Sequence, residues 1–283
     1  MRNVIVSEHA GFCFGAGRGV DFLEAALKEG GPIYTYGPIL NNAHVVESFE
    51  KRGVRVVESL EDLAHLPKGK VVIRSHGVSK KVYEGIEASG HEVIDATCPF
   101  VKRIHSIVEK QSLLGETIVV IGNPKHPEVE GIVGWSTRGA YTVQDESDIE
   151  KIPLNREEKL CIVSQTTFNR NKFQELVEKF EKNGYNTNVM NTICDATNVR
   201  QTEALELAAK VDVMIVIGDT HSSNSRKLYE ICSSVCRNTL FVQTVMDVLG
   251  KLPEAEGTIG ITAGASTPKY IIEEVQSYVR NDF

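Results

Sequence analysis

Five apolar runs in this chain, VVIRSHG, TIVVIGNPKH, LCIVSQTT, VMIVIGDTHSSNS and TIGITAGAS, end in small and polar residues. Stretches with helical spacing follow them, among them KFQELVEKFEKNG, SRKLYEICSSVC and PKYIIEEVQSYV. Strands that are apolar throughout need cover on both faces, and amphipathic helices placed between them supply that cover through parallel crossovers. The pattern therefore predicts an α/β protein with parallel sheets. In such sheets ligands gather at the carboxyl ends of the strands.

The middle and last thirds of the chain resemble each other in order and spacing. IDATCPFVKRI pairs with ICDATNVRQTEA, TIVVIGNPKH with VMIVIGDTHS, and CIVSQTT with GITAGAS, at offsets of about a hundred residues. The first third carries a looser version, with Cys13 in GFCFG followed by YTYGPILNNAH and VVIRSHG. We read three related α/β units, 1–97, 98–193 and 194–283, and expect a pseudo-threefold trefoil around a central site. Its strand ends would present Cys13, residues 41–44 and His76 from the first unit. The second would present Cys98, His126 with Glu128, and Thr166 with Thr167, and the third Cys194, then Ser222, Ser223 and Asn224, then Ser266.

Charge and composition narrow the partners. The 31 basic residues are outnumbered by 38 acidic ones and are scattered rather than clustered with aromatics, which argues against nucleic acid. No apolar stretch approaches the roughly 20 residues of a membrane span, and MRNVIVSEHA lacks the apolar core of a signal peptide. The expected location is the cytoplasm, where six cysteines point to metal, catalysis or packing rather than disulfides. Cys161, Cys232 and Cys236 lie in or beside apolar runs and read as buried structural thiols.

Cys13, Cys98 and Cys194 are different, because each sits in a short motif at the edge of an apolar run: GFCFGAG, DATCPFVKRIH and NTICDATNVRQ. Three thiolates suit an iron–sulfur cube with one iron left open, whereas structural zinc usually draws on close Cys pairs that these three lack. The cluster is the favoured reading and zinc the alternative. Neutral donors such as Ser222, Ser223, Asn224, Ser266 and Thr166, with two histidines and helix N-termini, would make a cradle for phosphate. HSSNSRKL reads equally as a helix cap, and both readings can hold. In KHPEVEG, a carboxylic acid near apolar neighbours should have a raised pKa, which makes Glu128 a proton-donor candidate.

Taken together, GFCFGAGR, RSHGVS, DATCPFVKRIH, HPEVEG, SQTT, ICDATNVRQ, SSNS and TAGAS cover nearly the whole chain in order. In these motifs the chain closely resembles the 4-hydroxy-3-methylbut-2-enyl diphosphate reductases, the IspH or LytB family. The resemblance implies a [4Fe–4S] cluster held by Cys13, Cys98 and Cys194 with one open iron. It places the diphosphate among His76, His126, Ser222, Ser223, Asn224 and Ser266, and gives Glu128 and Thr166 the protons. It further implies isopentenyl and dimethylallyl diphosphate as products and a ferredoxin or flavodoxin as electron donor. One departure stands out: GPILNNAHVVESF carries Asn41 where the family usually has histidine, with His44 three residues on. An amide can hydrogen bond to a phosphate but cannot bring a charge or a proton to it. The alternative readings are a related open-iron enzyme acting on a different substrate, and a redox sensor or electron carrier.

Overall fold

The computed structural model describes residues 3–252 and 257–281. Twelve strands are described: β1 (Asn3–Val6), β2 (Ile33–Tyr36), β3 (Val54–Val57), β4 (Lys70–Ile73), β5 (Glu92–Asp95), β6 (Thr117–Ile121), β7 (Ala140–Val143), β8 (Lys159–Ser164), β9 (Asn186–Val189), β10 (Val213–Ile217), β11 (Thr239–Val242) and β12 (Thr258–Ala263). Between and after them lie α1 (Phe14–Glu29), α2 (Ala43–Glu50), α3 (Leu60–Ala64), α4 (Lys80–Ala88), α5 (Pro99–Leu113), α6 (Pro127–Val133), α7 (Glu146–Lys151), α8 (Arg170–Lys182), α9 (Asp195–Ala208), α10 (Ser223–Ser233) and α11 (Lys269–Asn281).

The strands form three four-stranded sheets, all parallel, in the orders β3-β2-β4-β5, β7-β6-β8-β9 and β11-β10-β12-β1. Numbered within each sheet, the first two have the order 2-1-3-4. The third has it too once β1, first in the chain, is placed as its fourth strand, in register Asn3 with Thr258 through Val6 with Ile261. The fold is thus α/β with three copies of one topology. Because the order reverses between the first and third strands of each sheet, a crevice opens at their carboxyl ends.

Why these segments are strands follows from their cover. All five residues of β10 are buried, as are four of five in β6, where helices lie on both faces. Apolar cores on the two faces of the β6–β9 sheet show this: Val119, Ile121, Leu160 and Ile162 pack with α8 on one face, and Ile118, Val120, Cys161 and Val163 with α5 and α6 on the other. Each residue of such a strand points opposite to its neighbour, so a strand rich in Val and Ile feeds two cores at once.

The chain groups into two compact units. One comprises the chain through Gly17, Leu40–Arg52, and the chain from Asp195 onward, and holds the β1-β12-β10-β11 sheet. The other comprises Arg18–Ile39 and Gly53–Cys194, and holds the remaining two sheets. Cys161, Cys232 and Cys236 are buried in apolar cores, and burial pushes the thiols of Cys161 and Cys232 up to about 12. Helix α10 ends at Ser233, so Cys236 lies beyond it, although its amide still donates to the carbonyl of Cys232 at 2.8 Å.

Candidate functional site

Each of the three motif cysteines follows the fourth strand of a sheet and stands directly before a helix: Cys13 after β1 and before α1, Cys98 after β5 and before α5, Cys194 after β9 and before α9. The unpaired amides of a first helical turn favour an anionic ligand, so the repeated topology delivers three sulfurs to three settings suited to thiolate. All three are half-buried, in contrast to the other three cysteines, and none is in a disulfide.

The backbone at each cysteine is pinned. Cys13 N–H donates to Ala265 O at 3.1 Å, and its Sγ accepts from the Ala16 amide at 3.4 Å. Two residues earlier Gly11 has φ +96°, a backbone conformation that favours glycine, and its amide donates to Ala263 O at the end of β12. Buried Arg200, on α9, donates from Nε to His9 O at 2.9 Å and from Nη2 to Gly11 O at 2.8 Å. Cys98 N–H donates to Ser75 O, one residue before His76, and Cys194 N–H to Thr166 O, both at 3.0 Å. Among the described residues no three His, Cys, Asp or Glu side chains are grouped as ligands of a single metal ion, so the case for a cluster rests on donor chemistry. On that ground the cysteines fit: thiolates are the soft donors an iron–sulfur cluster takes.

In the compact unit that holds the β2–β5 and β6–β9 sheets, four polar side chains stand at the carboxyl ends of β4, β6 and β8. His76 and His126 meet edge to face, with ring centroids 5.3 Å apart. His126 caps α6, its Nδ1 accepting from the Glu128 amide at 3.2 Å, so the neutral ring carries its proton on Nε2. Burial, then the neighbouring His126 and Arg74, hold His76 well below the ordinary imidazole range, and its buried Nδ1 has no hydrogen-bond partner among the described residues. Glu128 lies in the first turn of α6, buried. It accepts from Thr166 N–H at 2.6 Å and from Thr166 Oγ1 at 2.7 Å. Burial raises its pKa, and the two Thr166 hydrogen bonds offset only part of that rise. The result is a carboxyl group that keeps its proton to higher pH than an exposed one and lies within a short hydrogen bond of a hydroxyl.

In the compact unit that holds the β1-β12-β10-β11 sheet the residues cluster at the ends of β10 and β12. Ser222 caps α10, its Oγ accepting from the Ser225 amide at 3.3 Å, and Ser223 opens the helix. Asn224 follows, 4% exposed, and neither its Oδ1 nor its Nδ2 has a hydrogen-bond partner among the described residues. A buried primary amide left unpaired costs several kcal/mol by transfer arguments, about 2–7, so this side chain asks for a polar ligand. Ser266 Oγ donates to the backbone oxygen of Asn41 at 3.0 Å, which ties residue 41 to the end of β12.

His44 does not take the place of Asn41. It is the second residue of α2, whose cap is Asn42, and it lines a cavity of about 410 Å³ with Gly218, Thr220, Gln243, Thr244 and Asp247. Two residues that the sequence reasoning missed organise this neighbourhood and its counterpart. Asp219 accepts from the amides of Ala43 and His221, at 3.0 and 2.8 Å, fixing α2 to the end of β10. Gln165, buried in the SQTT motif, accepts from the Asn123 amide and donates to Thr167 Oγ1. Their signal in the sequence was only their place inside motifs chosen for other members.

The comparisons with known proteins agree with one another. The family model described as LytB protein matches residues 4–280. The 4-hydroxy-3-methylbut-2-enyl diphosphate reductase of Caldanaerobacter subterraneus subsp. tengcongensis is 43% identical over 281 residues, covering 98% of this chain and 96% of that protein. The enzyme of the same name from Alkaliphilus oremlandii is also 43% identical, covering 98% and 99%. Among solved structures, the reductase from Plasmodium falciparum superposes with a TM-score of 0.89 at 29% identity, covering 99% of this chain and 87% of that one. A second, described as the terminal enzyme of the non-mevalonate pathway, has a TM-score of 0.73 at 38% identity, with 99% of each chain covered.

Proposed function

Since this chain belongs to the LytB protein family, we propose that it removes the allylic hydroxyl of 4-hydroxy-3-methylbut-2-enyl diphosphate, giving isopentenyl and dimethylallyl diphosphate. It is an oxidoreductase of non-mevalonate isoprenoid synthesis, and its family uses an iron–sulfur cluster. Our finer assignment is a [4Fe–4S] cluster on Cys13, Cys98 and Cys194, with the fourth iron left without a protein ligand. Their donor chemistry and their matching positions before three helices support it. When bound, the cluster supplies two electrons one at a time and, at its open iron, Lewis acidity. A small one-electron protein, a ferredoxin or flavodoxin, is the donor we assign.

The observation that carries the residue assignment is the buried Glu128–Thr166 pair. Hydroxide is a poor leaving group, so its loss asks for a proton at the departing oxygen. With Glu128 protonated, its Oε2–H donates to Thr166 Oγ1, and the Thr166 hydroxyl is released to donate outward. The Thr166 amide goes on holding Oε1, so the carboxyl stays in place while the proton moves. We assign the diphosphate to His76, His126, Ser222, Ser223, Asn224, Ser266 and Asn41. Asn224 contributes the unpaired amide and Asn41 a neutral contact where a histidine would bring charge. Among the described residues no helix is long and apolar enough to cross a membrane, and we place the enzyme in the cytoplasm.

The test is anaerobic turnover of the substrate by cluster-loaded protein with a strong chemical reductant. Both five-carbon diphosphates should form, and serine at Cys13, Cys98 or Cys194 should lower bound iron whereas serine at Cys161 should not. A fully loaded protein that yields neither product overturns the assignment.

A further inference from the structure

The single tryptophan of the chain lies just beyond the C-terminus of α6, the helix that His126 caps at its other end. Trp135 Nε1 donates to Val78 O at 2.8 Å, two residues after His76. Its ring is stacked on buried His105 of α5, with centroids 5.1 Å apart and planes at 15°. From the structure we infer that Trp135 and His105 are positioning residues which set the separation of His76 and His126. The inference rests on reading those two histidines as ligands of the diphosphate.

Close approaches from several sides make residues 76–80 a clamped segment rather than a free turn. Gly77 has φ +72°, and a Cβ on it would stand 2.7 Å from His105 Cε1 and 2.9 Å from Thr97 Cγ2. A Cβ on Gly134, the C-cap of α6, would stand 2.2 Å from Ser79 Cβ. Gly131, on α6, faces the backbone of Gly77 and Val78 with only van der Waals space for a Cβ. Lys80 N–H donates to Gly134 O at 3.4 Å, and Lys80 Nζ pairs with Glu109 of α5 at 2.6 Å. The segment leaving β4 is therefore seated against α5, against α6 and against the indole.

The geometry of α6 turns this seat into a lever. It has seven residues, and at about 1.5 Å per residue it forms a rod of roughly 10 Å with His126 at one end and Trp135 at the other. The hydrogen bond from Trp135 to Val78, beside the one from Lys80 N–H to Gly134 O, joins the far end of the rod to the segment that carries His76. Losing it removes one of the ties that seat α6 on that segment and loosens the 5.3 Å ring contact. The effect of Trp135 on His76 and His126 passes through the backbone of the Val78 segment and of α6.

The test is calorimetric binding of inorganic diphosphate to the cluster-loaded protein, with iron content and melting temperature recorded for every variant. Trp135→Phe keeps an aromatic ring over His105 but loses the donor to buried Val78 O. Affinity should fall about 10-fold, the order expected for one lost hydrogen bond, at unchanged iron content. KM for the substrate should rise more than kcat falls. Ile149→Val, in the core on another face of the second unit, serves as the control for plain destabilisation: its melting temperature should fall with diphosphate affinity unchanged. If Trp135→Phe does not fold, His105→Ala removes the stacking surface and should weaken diphosphate several-fold. Wild-type affinity in the variant that folds, with His76→Ala abolishing binding, overturns the positioning role alone. Wild-type affinity in His76→Ala overturns the ligand reading on which it rests.

Discussion

Glutamine at position 128 separates the proton of this site from its packing. Glu128 offers Oε1 to the Thr166 amide and Oε2 to the Thr166 hydroxyl, and it is buried. A glutamine of the same shape keeps both contacts: its oxygen accepts from the amide, and its NH₂ donates to a hydroxyl that rotates to receive it. No cavity forms and no hydrogen bond is lost, while the desolvation of a carboxylate disappears. The sign of the pH effect follows from the raised pKa of Glu128, above an ordinary value of 4.5. A group whose folded pKa is raised gives its stability below the unfolded value and loses it as pH rises through the folded one. The variant has no such loss, so its stability relative to wild type should grow with pH. We expect Glu128→Gln to lie within about 1 kcal/mol of wild type at pH 5 and to be at least as stable at pH 8. Turnover should fall roughly 10²–10⁴-fold. Glu128→Ala leaves two donors unpaired at about 1–3 kcal/mol each, so about 2–6 kcal/mol in all before any cavity is counted. Anaerobic urea unfolding at the two pH values, with steady-state turnover, reads both effects. A glutamine variant that turns over at the wild-type rate, or is clearly less stable than wild type at pH 8, refutes the reasoning.

Two further outcomes test the fold around the site. His105 is pushed by burial from 6.5 to about 4, and Asp95 and Lys102 act on it in opposite directions. A depressed imidazole is neutral in the fold and takes its proton first in the unfolded chain, so stability should be lost as pH falls from 6.5 towards 4, by up to about 3 kcal/mol. His105→Gln should flatten that slope, and an unchanged slope would remove His105 as its source. A Cβ at Gly264, after β12, would stand 2.0 Å from Oγ of fully buried Ser225. Gly264→Ala should therefore cost about 1–3 kcal/mol, and adding Ser225→Ala should recover part of it in a double-mutant cycle. A strictly additive pair would show that the two do not touch.

The strands that the sequence makes plain are the central ones. β6, β8, β10 and β12 are buried on both faces, so TIVVI, KLCIVS, VMIVI and TIGITA carry a mainly apolar signal. The edge strands VRVV, EVID, AYTV and NTNV are only part-covered and mix polar with apolar residues, which leaves too little pattern to identify four-residue strands. The cysteines and the serine and threonine motifs were legible because each stands at the end of a readable strand or the start of a readable helix. Trp135, His105, Arg200 and Asp219 were not, since nothing local marks them: Trp135 reaches Val78 across 57 positions and Arg200 reaches His9 across 191.

The sequence by itself determined the alternation of strands and helices, the polar strand ends and the chemistry of the donors, because these depend on residue type and local period. Tertiary structure alone decided that β1 completes a sheet with β12, pairing Asn3 with Thr258. It likewise decided that Glu128 loses its water while Thr166 supplies two hydrogen bonds in return. It left the amide of Asn224 buried without a partner, and turned His44 away from the place of Asn41 into a separate cavity. The last three share one reason, and the first shares its long reach along the chain. A side chain's proton affinity and its need for a partner are set by which groups replace its water, and those groups arrive from segments far away in the chain.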